Sequence, residues 1–282
     1  MEVRITTLSE NTAARMGIFA EWGLSVLVEV DNLKILLDAG QGISTVRNAT
    51  ALGIDLSAID KIVLSHGHAD HTGGLRELLA TRGKPVGIVA HPDIWAAKYV
   101  QRPGEEDYSF IGIPFDREEL EGLGASFTLT KEPLWIADHI VILGEVPMLT
   151  GYEQIDPNLY VKGESGFSPD LVMDDRALAI RTDLGLVVVA GCAHRGIINT
   201  LENAQKLTGV EIIHTLVGGT HLIRAEEEQI ELTIAELKEM GIQRLGVSHC
   251  TGFHASVRLA EEFGDIFFLN NAGTRLTLPR PT

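Results

Sequence analysis

The stretch Ser65-His66-Gly67-His68-Ala69-Asp70-His71-Thr72-Gly73-Gly74 follows the short run Lys61-Ile62-Val63-Leu64, and its reading decides the fold. The run has the length and composition of a buried strand, while Gly73-Gly74-Leu75-Arg76-Glu77-Leu78-Leu79 opens a helix, so the histidines occupy a strand-to-helix turn. In extended backbone, residues two apart project to the same side. His66 and His68 therefore offer two imidazoles to one metal ion, and Asp70 and His71, beyond the bend, point to a second. Gly67, Gly73 and Gly74 relieve crowding in so tight a turn. A single histidine is more often a packed or surface residue than a ligand. Four ligand-type side chains within six positions are not explained that way.

Outward from this turn, strand signals precede helix signals. Val3–Leu8, Leu24–Val30 and Leu33–Asp38 alternate as strands, with Asp31-Asn32 as a hairpin turn; Val86–Ala90 is the next strand. Later come strands Ala177–Arg181, Leu186–Ala190, Glu211–Val217, Arg244–Val247 and Ile266–Leu269, and helices from Ile197, over Glu226–Met240 and over Ser256–Phe263. The class is α/β. Lys61–Leu75 and Leu186–Leu201 share one plan of buried strand, polar turn with metal-type side chains, and helix, which predicts two halves facing each other across a groove. Residues 95–135 break the rhythm, with Pro103, Gly104, Pro114, Gly122 and Gly124 interleaved among Trp95, Tyr99, Tyr108, Phe110, Phe115 and Phe127. They read as an insertion in a single domain spanning 1–282, which either covers a site or packs its own apolar cluster.

Composition excludes some classes. With 39 acidic against 23 basic side chains the net charge is −16, the wrong sign for a nucleic-acid binder, which clusters Lys and Arg on phosphates. No apolar run approaches the ~20 residues that cross a bilayer, and Met1-Glu2-Val3-Arg4-Ile5 lacks the features of a signal peptide. The expectation is a cytoplasmic protein with no membrane partner and a small-molecule substrate, possible phosphorylation of that substrate included; the oligomeric state stays open. Two cysteines, Cys192 and Cys250, are too few for a disulfide framework.

His66, His68, His71, His194, His221 and His249 all fall just past the end of an expected strand, the edge where α/β sheets form their sites. The motif His66-Gly-His68-Ala-Asp70-His71 closely resembles the signature of the metallo-β-lactamase superfamily. The resemblance extends to Ile35-Leu36-Leu37-Asp38-Ala39-Gly40 and to Val189-Ala190-Gly191-Cys192. More narrowly, Glu10-Asn11, Gly191–Asn199, Gly218-Gly219-Thr220-His221-Leu222 and His249-Cys250-Thr251-Gly252 are similar to the branch of dihydropterin-linked ribofuranosylaminobenzene 5′-phosphate synthases.

The resemblance implies a four-layer αββα sandwich, with His66 and His68 on one metal and Asp70, His71 and His249 on another. Cys192 stands where most hydrolases of the superfamily carry a bridging aspartate; as a thiolate it favours zinc, iron or manganese being the alternatives, and otherwise it is a small buried residue. No Pro-Gly-His-Thr segment supplies the first metal's usual third histidine. His194 is the first substitute, His221 the second, and Asp174 or Asp175 the third. Asp38 orients a ligand histidine or caps a turn. Arg195 and Asn199, at a helix start, either hold an anion together with Thr251 or merely begin the helix. Cys250 is expected in the core. Two divalent cations suit hydrolysis by an activated water, with Asp70 orienting that water and His194 or His221 protonating a leaving group. The alternatives are a phosphoribosyl-transferring synthase and a metal-binding protein without turnover.

Overall fold

A computed structural model describes residues 1–278. In chain order the strands are β1 (Val3–Ser9), β2 (Ser25–Val30), β3 (Leu33–Leu37), β4 (Lys61–Val63), β5 (Val86–Ala90), β6 (Lys98–Val100), β7 (Ser109–Phe110), β8 (Ala125–Leu129), β9 (Leu134–Ala137), β10 (Ile140–Ile142), β11 (Leu159–Gly163), β12 (Gly166–Pro169), β13 (Ala177–Thr182), β14 (Gly185–Ala190), β15 (Ile213–Gly218), β16 (Arg244–Val247), β17 (Phe267–Leu269) and β18 (Arg275–Leu278). The helices are α1 (Ser44–Ala51), α2 (Ala69–Thr72), α3 (Leu75–Arg82), α4 (Arg117–Gly122), α5 (Ile197–Thr208), α6 (Glu227–Glu239) and α7 (Phe253–Phe263).

Two seven-stranded sheets form, in the orders β18-β1-β2-β3-β4-β5-β8 and β17-β16-β15-β14-β13-β10-β9. Strand alternation explains why they stack. Ile35 and Leu37 of β3 face inward with Val26, Val28 and Val63, and meet Ile140, Ile142, Leu178, Ile180, Val187 and Val189 of the other sheet in one buried cluster. Leu36, between the inward pair, turns the opposite way and packs with Leu75, Leu78 and Leu79 of α3. On the far side Leu186, Val188 and Ala190 of β14 pack against Ile197, Ile198 and Leu201 of α5 and Ile230 and Ile234 of α6. A strand covered on both faces must read as a continuous apolar run, as Leu186–Ala190 does. The result is the expected αββα layering.

Each sheet continues an antiparallel hairpin, β2–β3 or β13–β14, with parallel strands, β4, β5 and β8 or β15, β16 and β17. The internal correspondence is thus shifted by one strand from the sequence reading: β14 matches β3, so the turn at Cys192 corresponds to the turn at Asp38, and the His66 turn corresponds to Gly219-Thr220-His221.

Of residues 95–135, α4 and β8 belong to the first half of the sandwich, β8 pairing parallel to β5. β6 and β7 leave it and combine with β11 and β12 into a small four-stranded sheet, order β12-β11-β6-β7. No helix among the described residues is long and apolar enough to cross a membrane.

Candidate metal centre

The turns after β3, β4, β14, β15 and β16 lie at the carboxyl ends of their strands and carry Asp38, the His66–His71 motif, Cys192 with His194, His221, and His249 in that order. They meet at the floor of a cleft of about 450 Å³. Four of the six non-glycine residues with positive φ among the described residues are here: Asp38, Ala193, His221 and His249, at 53–60°. Such backbone is costly for residues with a Cβ and persists where the surroundings over-determine it.

His66 Nε2 lies 3.0 Å from His68 Nδ1 and 3.2 Å from His194 Nε2. His71 Nε2 lies 3.1 Å from Cys192 Sγ and 3.3 Å from His249 Nε2, and Asp70 Oδ2 is 3.2 Å from His249 Nε2. Two donor sets follow, His66/Cys192/His194 and His71/Cys192/His249, each with its ligand atoms within 4.8 Å of one another. Bonds of ~2.05 Å from zinc to nitrogen put tetrahedral neighbours about 3.3 Å apart. The nitrogen–nitrogen spacings match that edge, and His66, His68, His71, His194 and His249 are all buried. The donor set therefore fits divalent cations, with Cys192 common to both groups.

Electrostatics prepare the imidazoles as lone-pair donors. Burial, with neighbouring imidazoles, pushes His66 and His194 well below the ordinary histidine range, and burial brings His68 down to about 3 against the opposing charge of Asp70. His71 differs: burial disfavours its charge, but Asp38 and Asp70 outweigh burial and lift it to about 9. Asp70 itself is held below the usual carboxylate range by His71 and His249, although burial acts the other way.

The supporting contacts account for the sequence around each ligand. Asp38 accepts from Ser65 N, Ser65 Oγ and His71 Nδ1, each at 2.7 Å, which fixes the tautomer of His71 with Nε2 facing the cleft. Asp174 accepts from Gly67 N at 2.7 Å, between the two motif histidines, and its other oxygen meets Lys98 Nζ at 2.9 Å. Lys98, buried on β6, also reaches Asp170 at 2.8 Å. A Cβ at Gly74 would sit 2.0 Å from the carbonyl oxygen of Ala39, so the turn after the motif needs glycine to pass the β3 turn. Glu10 accepts from His249 N at 2.7 Å, and Asn11 Oδ1 lies 2.9 Å from His249 Nδ1.

Three expected substrate contacts do not reach the cleft. Arg195 spends its guanidinium on the carbonyls of Val146 and Leu171, both at 2.6 Å. Asn199 is fully buried, its Oδ1 accepting from Leu149 N at 2.7 Å and Thr150 N at 2.9 Å. The α5 start does hold an anion, but it is the protein's own: Glu153 accepts from Ile198 N and Asn199 N, both at 2.9 Å. Thr251 is buried and ties its turn to Thr220. Of the substitutes for the third histidine, His194 joins His66. Asp174 and Asp175 are engaged with backbone N–H groups, Asp175 with Arg195 N at 3.0 Å, and burial raises Asp175 to about 7. His221 lies ring to ring with His194 at 4.0 Å, in a third group with Cys192 and Cys250. Cys250 lines the cleft instead of packing away from it. Nothing in its local sequence marked it, except that it follows His249. His91 pairs with Glu145 at 3.1 Å and His254 with Glu227 at 2.8 Å, both outside the cleft lining.

The sequence profile of the metallo-β-lactamase superfamily matches residues 23–198. The chain is 33% identical to the 7,8-dihydropterin-6-methyl-4-(β-D-ribofuranosyl)-aminobenzene-5′-phosphate synthase of Methanocaldococcus jannaschii over 96% of this chain and 95% of that protein. Among solved structures, Tm1679, a metal-dependent hydrolase of the β-lactamase superfamily, gives a TM-score of 0.83 at 28% identity, covering 97% of this chain and 98% of that one. The metallo-β-lactamase fold protein YhfI of Bacillus subtilis gives 0.60 at 15% identity over 98% and 99% of the two chains, a likeness of fold. With the profile matched over more than half its length and a relative one-third identical along nearly all of it, the chain belongs to the metallo-β-lactamase superfamily.

Proposed function

We propose that the protein is a hydrolase that holds two divalent cations, zinc first among them, and acts on a small substrate carrying a phosphate or another anionic group. The carrying observation is the pair of donor sets that share Cys192 at the floor of a cleft with two arginines in its lining. His66, His68 and His194 would hold one cation and Asp70, His71 and His249 the other, with Cys192 between them. When bound, such cations supply a water ionised near neutral pH and polarise the bond to be cut. Asp70 would orient that water, and Asp38 would keep the single imidazole proton of His71 on Nδ1, leaving Nε2 for the cation.

Arg102 and Arg224, each about half exposed, supply the attraction for an anion despite the chain's net charge. Arg224 Nη1 sits 3.1 Å from Asp156, and Arg102 Nη1 is 2.9 Å from Ser109 Oγ. Trp22, Phe110, Ile111, Leu159 and Ile223 give the cleft apolar walls for the body of the substrate.

A second reading is a synthase that transfers a phosphoribosyl group to an aminobenzoate-type acceptor with loss of pyrophosphate; it is favoured by the relative of that name, 33% identical over 96% of this chain. Metal analysis and a panel of phosphomonoesters, phosphodiesters and carboxylic esters test the first reading. The purified protein is expected to carry about two metals, and His66→Ala with His68→Ala to lose metal and hydrolysis together. Full hydrolysis by thoroughly metal-stripped protein refutes it. Pyrophosphate release from phosphoribosyl pyrophosphate in the presence of the acceptor, with no hydrolysis across the panel, selects the synthase.

A further inference from the structure

Cys250 occupies the short turn after β16, directly behind His249, and its thiol is buried at the cleft floor. Its Sγ, the Sγ of Cys192 and an imidazole nitrogen of His221 lie within 4.8 Å of one another. The surrounding chain is shaped for this gathering. A Cβ at Gly219 would stand 2.5 Å from Cys250 Sγ and 2.5 Å from the carbonyl oxygen of Gly191, so any side chain there would drive the loop off the thiol. Gly219 N donates to Gly191 O at 3.0 Å, tying the His221 loop to the Cys192 turn. Thr220 bonds Thr251 Oγ1 from both its N, at 3.3 Å, and its Oγ1, at 3.1 Å, tying the same loop to the Cys250 turn.

Hydrogen bonding accounts for only part of the arrangement: Cys250 Sγ donates to the carbonyl oxygen of Cys192 at 3.5 Å, a long contact for a weak donor. His221 Nδ1 is buried with no partner, and its residue is held at a φ of 53°, which a β-carbon disfavours. A thiol is a weak donor and a weak acceptor, so two of them beside an orphan imidazole nitrogen are a poor polar network. Two sulfurs and one nitrogen are instead the donor chemistry that borderline-soft cations select.

We propose that Cys250 is a metal ligand, forming with Cys192 and His221 a two-thiolate, one-imidazole donor set at the cleft floor. This rests on the metal-centre reading above and adds to it a second sulfur and a preference for zinc, cobalt or cadmium over manganese. Each thiol gives up its proton to solvent as it binds. His221 is thereby a ligand rather than a proton donor, as His194 is in the His66 group.

Cobalt(II) reports sulfur ligation directly, because each bound thiolate adds sulfur-to-cobalt charge-transfer absorption in the near ultraviolet. Chelator-treated, reduced full-length protein is titrated with cobalt(II), alongside Cys250→Ser and, in case serine disturbs the buried turn, Cys250→Ala. Circular dichroism confirms that each variant is folded. The expected result is a charge-transfer band that falls to about two-thirds in both variants, since Cys192, shared between two cations, keeps two of three sulfur–cobalt bonds, together with weaker cobalt binding; manganese binding is expected to change little. A band in Cys250→Ser and Cys250→Ala equal to that of the unaltered protein overturns the inference while leaving the metal centre standing. Failure of the unaltered protein to bind cobalt overturns both.

Discussion

Asp38→Asn tests how the metal-binding turn is held. Asparagine has the same shape and tolerates the left-handed φ of 60° at this position, so the substitution removes charge and one acceptor without reshaping the backbone. Three donors converge on the carboxylate at 2.7 Å, and an amide cannot accept from all of them. Against the effect of burial, Asp38 and then Asp70 lift His71 from 6.5 to about 9. At 1.36 kcal/mol per unit this is on the order of 3 kcal/mol of preference for charged His71 in the metal-free protein, of which Asp38, first of the raising charges, holds the larger part.

The sign follows from a folded value above the unfolded one. The stabilisation is fully present below about pH 6.5 and is lost as pH rises through about 9. Urea unfolding of chelator-treated protein is therefore expected to show Asp38→Asn destabilised by roughly 2–3 kcal/mol near pH 6.5, with the gap narrowing towards pH 9.5. The Asp175 carboxyl, raised to about 7, contributes equally in both proteins and cancels. A gap that stays constant across this range would refute the coupling. In the same variant metal affinity should fall about 10–100-fold, the usual effect of losing the group that orients a ligand histidine.

Two further outcomes probe the scaffold. Lys98→Met should destabilise the protein by about 3–5 kcal/mol in chemical denaturation, because Asp170 and Asp174 are left buried without their cation; adding Asp174→Asn should recover part of the loss, and a near-neutral Lys98→Met would show that the buried pair contributes nothing. Glu153→Gln should cost about 1–3 kcal/mol, since one of the two N–H groups at the α5 start loses its acceptor, while metal content stays unchanged; metal loss would mean that the α5 start communicates with the centre.

Much of the sandwich was legible because strands at its heart must be apolar on both faces. Lys61–Leu64, Val86–Ala90 and Leu186–Ala190 announced themselves as unbroken runs. The short edge and excursion strands β9, β11, β12 and β18 did not, since their burial is partial and leaves no continuous apolar run. The internal correspondence was visible but misaligned by one strand, because a strand followed by a polar turn and a helix looks the same at β3 and at β4.

Sequence by itself determined the His66–His71 motif, whose four donors sit within one turn and need no distant chain to meet. It could not decide which of Cys192, His194 and His221 stands beside which ligand, or that Arg195 and Asn199 turn inward. An arginine at a helix start reads as an anion binder until the folded chain brings Glu153 there first and surrounds the guanidinium with carbonyls. Cys250 shows the same limit from the other side. A small apolar-looking residue beside a histidine reads as core, and only the stacking of the β14, β15 and β16 turns places its sulfur within 4.8 Å of Cys192. Local spacing fixes donors that share a turn; donors contributed by separate strands are set by sheet register and glycine-cleared approaches, which exist only in the folded chain.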